Sequence, residues 1–214
     1  MDIHKPKAAH SIREFLIEIG TIICGILIAL GLEQVLEFAH TEQQLHEARE
    51  ALREEVRIDV AFQLSGVEAD RCLDLALDRY AAWARGGPKP PRIRSGFPPV
   101  FSTNWDTVKV GVAPHMSLKE RLGYARFYNL VAEEQWITNA QKSGFLGIVA
   151  FDEKATLDQA ESKRLLEIIP QVRVMERTGL IMRHNLLALA KGVGVTPKKA
   201  EAEIFPCDKP FMPQ

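Results

Sequence analysis

The feature that most constrains this chain is Ile19 to Leu32, IGTIICGILIALGL, an uncharged and almost wholly apolar run close to the N-terminus. As a helix it covers roughly 21 Å at about 1.5 Å per residue, less than the roughly 30 Å of hydrocarbon in a bilayer. Phe15 to Leu36 is long enough to cross, provided Glu18 and Glu33 reach headgroups or water near the two interfaces. The run is apolar all round, without the polar face of a surface helix. Two other readings compete. A buried core helix is one, and a cleaved signal peptide is the other, with Ala29-Leu30-Gly31 as a passable cleavage site. Against cleavage, the segment before the run is long and carries Asp2 and Glu14 beside Lys5, Lys7 and Arg13. The helical pattern also continues through Glu33, Leu36 and Glu37. A retained transmembrane helix over 15–36 is the expectation.

Flanking charge sets the expected orientation. Lys5, Lys7 and Arg13 precede the run, and the next cations, Arg49 and Arg53, follow Glu33, Glu37, Glu42 and Glu47. The positive-inside rule then puts residues 1–14 in the cytoplasm and the larger part of the chain in the periplasm of a bacterial inner membrane. Within the run, Thr21, Gly25 and Ala29 recur every four residues on one helix face. Small residues at that spacing let two membrane helices approach closely, so these three are the candidate membrane-helix contact.

The remainder of the 214 residues can bury a core, with 46% hydrophobic and 26% charged residues overall. A net charge of -1 and short cationic pairs such as Lys198-Lys199 leave no footprint for nucleic acid. Cys24 lies in the apolar run. Cys72 and Cys207 are the only possible soluble pair, and two unpaired thiols are the expected state.

Residues 37–87 read as a long amphipathic helix. Leu45, Ala48, Leu52, Val56, Val60, Leu64 and Val67 recur at steps of three and four, and Leu73, Leu77, Tyr80 and Ala84 continue the stripe. Charged residues such as Arg49, Glu50, Arg53 and Glu54 read as a solvated face. Gly86-Gly87 and Pro88 stop the helix. Residues 88–102 form a proline-rich linker. A helical bundle is expected over 103–194, opened by capping boxes at Thr103–Asp106, Ser117–Glu120 and Thr156–Gln159. The apolar stretch Gly144 to Phe151 has no period and fits a helix turn, a strand or a contact patch. The last helix carries an a/d seam of Ile168, Val172, Met175, Gly179, Met182, Leu186, Leu189 and Val193, which packs lengthwise on a partner inside the domain or across a dimer. Pro170 should kink that helix. Residues 195–214 form a Pro- and Lys-rich tail.

Chemistry is sparse. No GxSxG, HExxH, Walker or GxGxxG pattern occurs. Glu37 and His40 have ExxH spacing, but a di-iron bundle needs a second ExxH and further carboxylates, so Glu33, Glu37 and His40 read as a polar collar at the membrane exit. Trp105, Tyr124, Tyr128 and Trp136 read as core anchors. No catalytic residue, cofactor or metal is expected.

The stretch EFLIEIGTIICGILIALGLEQVLE resembles the N-terminal signature of a broad set of uncharacterised bacterial single-pass membrane proteins: an acidic residue, an apolar stretch ending in G-[IV]-L-I-A-L (Gly25 to Leu30 here), then polar residues. NWDTVKVGVAPHMSLKERLGYARFYN is similar to the same family, with its Trp-acid pair, a Gly and Arg121-Leu122-Gly123-Tyr124-Ala125. The family has small residues where Lys109 and Val110 stand. The resemblance implies a membrane anchor with an α-helical soluble domain and transfers no activity.

The expected fold is therefore all-α: a transmembrane helix continuing into a long helical stalk, then an antiparallel helical bundle. The expected function is a membrane-anchored, non-enzymatic scaffold or sensory protein acting through homo-oligomers or a membrane-protein partner. A small-ligand or signal-input module, with Trp105, Tyr124 and Tyr128 near a pocket mouth, is the alternative.

Overall fold

The computed structural model describes residues 12–92, 97 and 99–196, with the backbone alone at 65 and 67–70. Every regular element in it is helical: α1, Ile12–Ala84; α2, Thr103–Val108; a 3-10 turn, Ala113–His115; α3, Leu118–Val149; and α4, Gln159–Gly192. The chain divides into two compact units, Met1–Glu47 and Ala48–Gln214.

In the first unit, α1 holds a segment long and apolar enough to cross a membrane. Its most apolar window has a mean hydropathy of 2.4, and none of that window is buried. Ile22, Ile23, Ile26, Leu27, Ile28 and Leu30 are all more than half exposed or at its threshold, a load of bare apolar surface that water does not tolerate well. Glu18, Thr21, Ala29 and Glu33 are exposed as well, and nothing lies within 4 Å of a Cβ built on Gly25. Thr21 Oγ1 donates to the Ile17 carbonyl at 2.8 Å, which satisfies its hydroxyl within its own helix.

The second unit is built around the anticipated stripe. Ala48, Leu52, Val56, Val60, Leu73, Leu77, Tyr80 and Ala84 are buried, and Leu64 is half-buried. Two glycines close helices by the same device. Gly86 (φ 94°) lets the Gly87 amide reach back to the Ala82 carbonyl at 3.0 Å. Gly194 (φ 82°) does the same for Val195 and Ala190, also at 3.0 Å. In both, the left-handed residue and the six-to-one bond satisfy carbonyls that a helix end leaves bare.

Chain direction follows from the contacts. Arg49 of α1 meets Glu120 at the start of α3, and Tyr80 meets Asp152 just beyond its end, so α1 and α3 run the same way. Gly123 faces Val193, Gly144 faces Val172 and Gly147 faces Ile168, so α4 runs opposite to α3. A parallel α1–α3 pair needs a return crossing, and the proline-rich segment supplies it. Lys89 Nζ donates to the Asp152 carbonyl at 2.7 Å, Phe97 packs edge-on against Phe145, and Phe101 reaches Phe62. The described residues of this segment thus form a strap that touches α1 at Phe101, α3 at Phe97 and the turn just past α3 at Lys89. The bundle is accordingly not antiparallel throughout.

Other expectations need correction. Ser102, not Thr103, is the N-cap residue of α2, and its side chain makes no capping bond. Asp158, not Thr156, caps α4: its carboxylate accepts the Glu161 amide at 2.8 Å, and Glu161 returns the bond to the Asp158 amide at 3.0 Å. A carboxylate with a glutamate three residues on makes the reciprocal box that Thr156 with Gln159 only imitates. Ser117 does cap α3, accepting from the Glu120 amide at 3.3 Å, while the Glu120 carboxylate is drawn away to Arg49. Gly144 to Val149 continues α3. Pro170 lies exposed inside α4. Cys72 is disulfide-bonded, against the expectation of unpaired thiols, and Cys24 is free. Cys207, Lys198 and Lys199 lie outside the described residues, as do the cations Lys5 and Lys7 and the side chain of Val67.

Candidate functional site

The α4 seam is used inside the domain. Val172 and Leu186 are buried, and Ile168, Met175, Met182 and Leu189 are half-buried. Close approach to α3 depends on glycine: a Cβ on Gly144 would stand 2.6 Å from Val172 Cγ2, and one on Gly179 would stand 3.1 Å from Gln141 Nε2.

Inside the bundle lies a set of buried polar side chains that periodicity does not announce. Glu55, Asp59 and Gln63 follow one another at four-residue steps on α1, between the apolar positions of the stripe. They are 5%, 0% and 0% exposed. Opposite them stand Tyr128, Glu134, Thr138 and Gln141 of α3, with Glu176 and Arg183 of α4, all buried. Buried polar groups persist only where partners repay desolvation, so their bonds define what the set does.

Two groups of bonds emerge. In the first, Glu55 Oε2 accepts the Asn104 amide at 2.9 Å and Asp59 Oδ1 accepts the Phe101 amide at 2.9 Å. Asn104 Nδ2 adds a bond to the Ala51 carbonyl at 3.1 Å. The strap and the first turn of α2 therefore hang from carboxylates of α1, which is why Ser102 has no capping work to do. Burial pushes the Asp59 carboxyl up to about 7; the Phe101 amide opposes the shift, and the charge of neighbouring Glu55 adds to it. Tyr128 is buried against Glu55, and its hydroxyl is held well above its ordinary range by burial first, then by Glu55 and Asp59. In the second group, Arg183 Nε donates to Gln63 Oε1 at 2.9 Å and lies 3.5 Å from Glu134 Oε1, an ion pair sealed from water. Gln141 Nε2 donates to the Met175 carbonyl at 3.2 Å.

The aromatic residues divide. Tyr124 and Tyr128 are buried core anchors, and half-buried Trp105 stacks on Tyr128 with ring planes 3° apart and centroids 5.5 Å apart. Trp136 is 66% exposed and is not one. A shallow groove of about 470 Å³ runs between α3 and α4, lined by Arg126, Asn129 and Glu133 on one side and Asn185 and Ala188 on the other. Among the described residues no three His, Cys, Asp or Glu side chains converge in a way that could hold a metal ion. His40 Nε2 lies 2.9 Å from Gln44 Nε2. With Asp59 pushed up to about 7, the buried set can hold a proton near neutral pH.

Glu55 and Asp59 were hidden because charged residues four apart have the signature of a solvated helix face, and Arg183 because an isolated arginine on a helix reads as exposed. Arg49 shows the converse: it was grouped with that face but forms a two-bond pair with Glu120, at 2.8 and 3.2 Å. No protein-family model, curated protein or solved structure matches this chain.

Proposed function

We propose that this protein is a membrane-anchored, non-enzymatic scaffold or sensory protein, held by residues 15–36 in a bacterial inner membrane. Its helical domain stands on the periplasmic side and works through homo-oligomers or a membrane-protein partner. The observation that carries the reading is the exposed apolar surface of α1, which only lipid or another helix can cover without cost. The disulfide at Cys72 supports the periplasmic side, because such bonds persist in oxidising compartments and are rare in the cytosol. The order of cations before the segment and carboxylates after it argues for the same orientation. Thr21, Gly25 and Ala29 are the surface offered to a second membrane helix.

Fractionation with alkaline washing tests the anchor: the full-length chain is expected in the washed membrane pellet. Its recovery from the soluble extract, or a mature N-terminus just past Gly31, overturns the reading. Sidedness is tested by thiol trapping in intact cells, where Cys72 should resist alkylation until a reductant is added. Crosslinking in membranes should capture oligomers that Gly25→Leu abolishes.

A further inference from the structure

The strap that returns the chain from α1 to α2 is fastened where two carboxylates sit one helical turn apart in the core. Phe101 and Asn104 donate their amides to Asp59 and Glu55, both at 2.9 Å. We propose that Asp59 and Glu55 form a proton-gated clasp: with Asp59 protonated they hold residues 99–108 against α1, and loss of that proton loosens the strap.

The surroundings of Asp59 argue for this. From α1 it faces the Glu55 carboxylate, from α3 the Tyr128 hydroxyl, and from the strap the Phe101 amide. Beyond Tyr128 stands Tyr124, itself surrounded by Arg53, Glu120 and Arg49. From α4, Arg183 is engaged by Gln63 and Glu134. The cations near this corner thus have other partners, and the nearest charge to Asp59 is of its own sign. A neutral Asp59 keeps Oδ1 as acceptor for Phe101. Its Oδ2 makes no hydrogen bond and can carry the proton. An ionised Asp59 adds a second negative charge at a buried site, and the least costly relief is to lift the strap and let solvent in. Residues 99–108 are the part that gives way, because a short connection and the six-residue α2 have fewer internal bonds than the long helices beneath them. The burial of Asp59 sets its titration near neutrality, so the clasp responds to mild changes in acidity. This inference does not rest on membrane anchoring.

The test is hydrogen exchange of the full chain in detergent micelles, followed from pH 5.5 to 8.5 and corrected for the intrinsic pH dependence of exchange. Protection of peptides covering 99–108 is expected to fall about tenfold per unit as pH rises from 5.5 to about 7, then to level off. Peptides from α3 and α4 should hold theirs. Asp59→Asn keeps the acceptor without the charge and should stay protected throughout. Glu55→Gln removes the neighbouring charge and should move the step to lower pH. Flat protection in the unaltered protein, or an Asp59→Asn curve that follows it, overturns the clasp. Should Asp59→Asn fail to fold, a step unmoved in Glu55→Gln does the same.

Discussion

Glu55 Oε2 accepts the backbone amide of Asn104 at 2.9 Å, so the first turn of α2 is capped by a side chain from a helix that ended some twenty residues earlier. A helix N-terminus leaves amides without partners, and a carboxylate there also meets the positive end of the helix dipole. Ser102, in the capping position, makes no such bond. Glu55→Ala should therefore cost about 1–2 kcal/mol by chemical denaturation of the full chain in detergent. Ser102→Ala should stay within about 0.5 kcal/mol. Equal losses for the two would show that α2 depends on its own cap.

The approach of α3 to α4 makes a second, steric prediction. A methyl group at residue 144 would meet Val172 Cγ2 at 2.6 Å, and a β-branched valine has little freedom to turn aside. Gly144→Ala should destabilise by about 1–3 kcal/mol despite its better helix propensity, and Val172→Ala should recover part of the loss. Gly25→Ala, with open space around it, serves as the control and should leave unfolding of the second unit unchanged. A neutral Gly144→Ala would mean the two helices separate more easily than their contact implies.

How much of this was legible in the sequence depends on whether the signal was local. The stripe from Ala48 to Ala84 and the seam from Ile168 to Leu189 are visible because burial on one helix face repeats every three to four residues. The closure at Gly86 is visible because glycine is favoured at positive φ. The buried carboxylates were not visible. Glu55 and Asp59 are covered by the strap and by Tyr128 of α3, through contacts with residues some forty to seventy positions away. The strap's proline content, read alone, describes an extended spacer equally well. Trp136 was misplaced for a related reason: aromatic bulk favours burial, but its position on α3 falls on the side facing away from α1 and α4.

Asp59 predicts the pH dependence of stability. Its folded-state value is about 7 and its ordinary value 3.8, so between these limits the folded chain holds a proton that the unfolded chain has released. The unfolded state binds fewer protons there, and the stability contributed by this group falls as pH rises from about 4 to 7, then levels off. At 1.36 kcal/mol per unit the full effect has a ceiling of about 4 kcal/mol, reduced by any water reaching the site. Asp59→Asn should match the unaltered protein at pH 4 and exceed its stability at pH 8. Denaturant midpoints at the two pH values decide it, and a variant that is weaker at pH 8 would contradict the assigned cost.

The Arg183 ion pair makes the last prediction. Arg183 is 1% exposed and Glu134 0%, so the two ions face each other away from water, and Gln63 adds a bond to Arg183. Removing one partner strands a charge in the core: Arg183→Met should cost about 3–5 kcal/mol. Removing both partners takes out the two charges of this pair together, and methionine with leucine fills similar volume. The double variant Arg183→Met with Glu134→Leu should therefore recover most of the loss, to within about 1 kcal/mol of the starting protein. Gln63, Thr138, Gln141 and Glu176 would then be the buried polar side chains left around them. If the double variant is as stable but its α3 and α4 amides exchange faster, the pair serves to fix the register of the helices and contributes little to their net stability. A double variant no better than Arg183→Met would instead show that the ion pair itself stabilises the bundle.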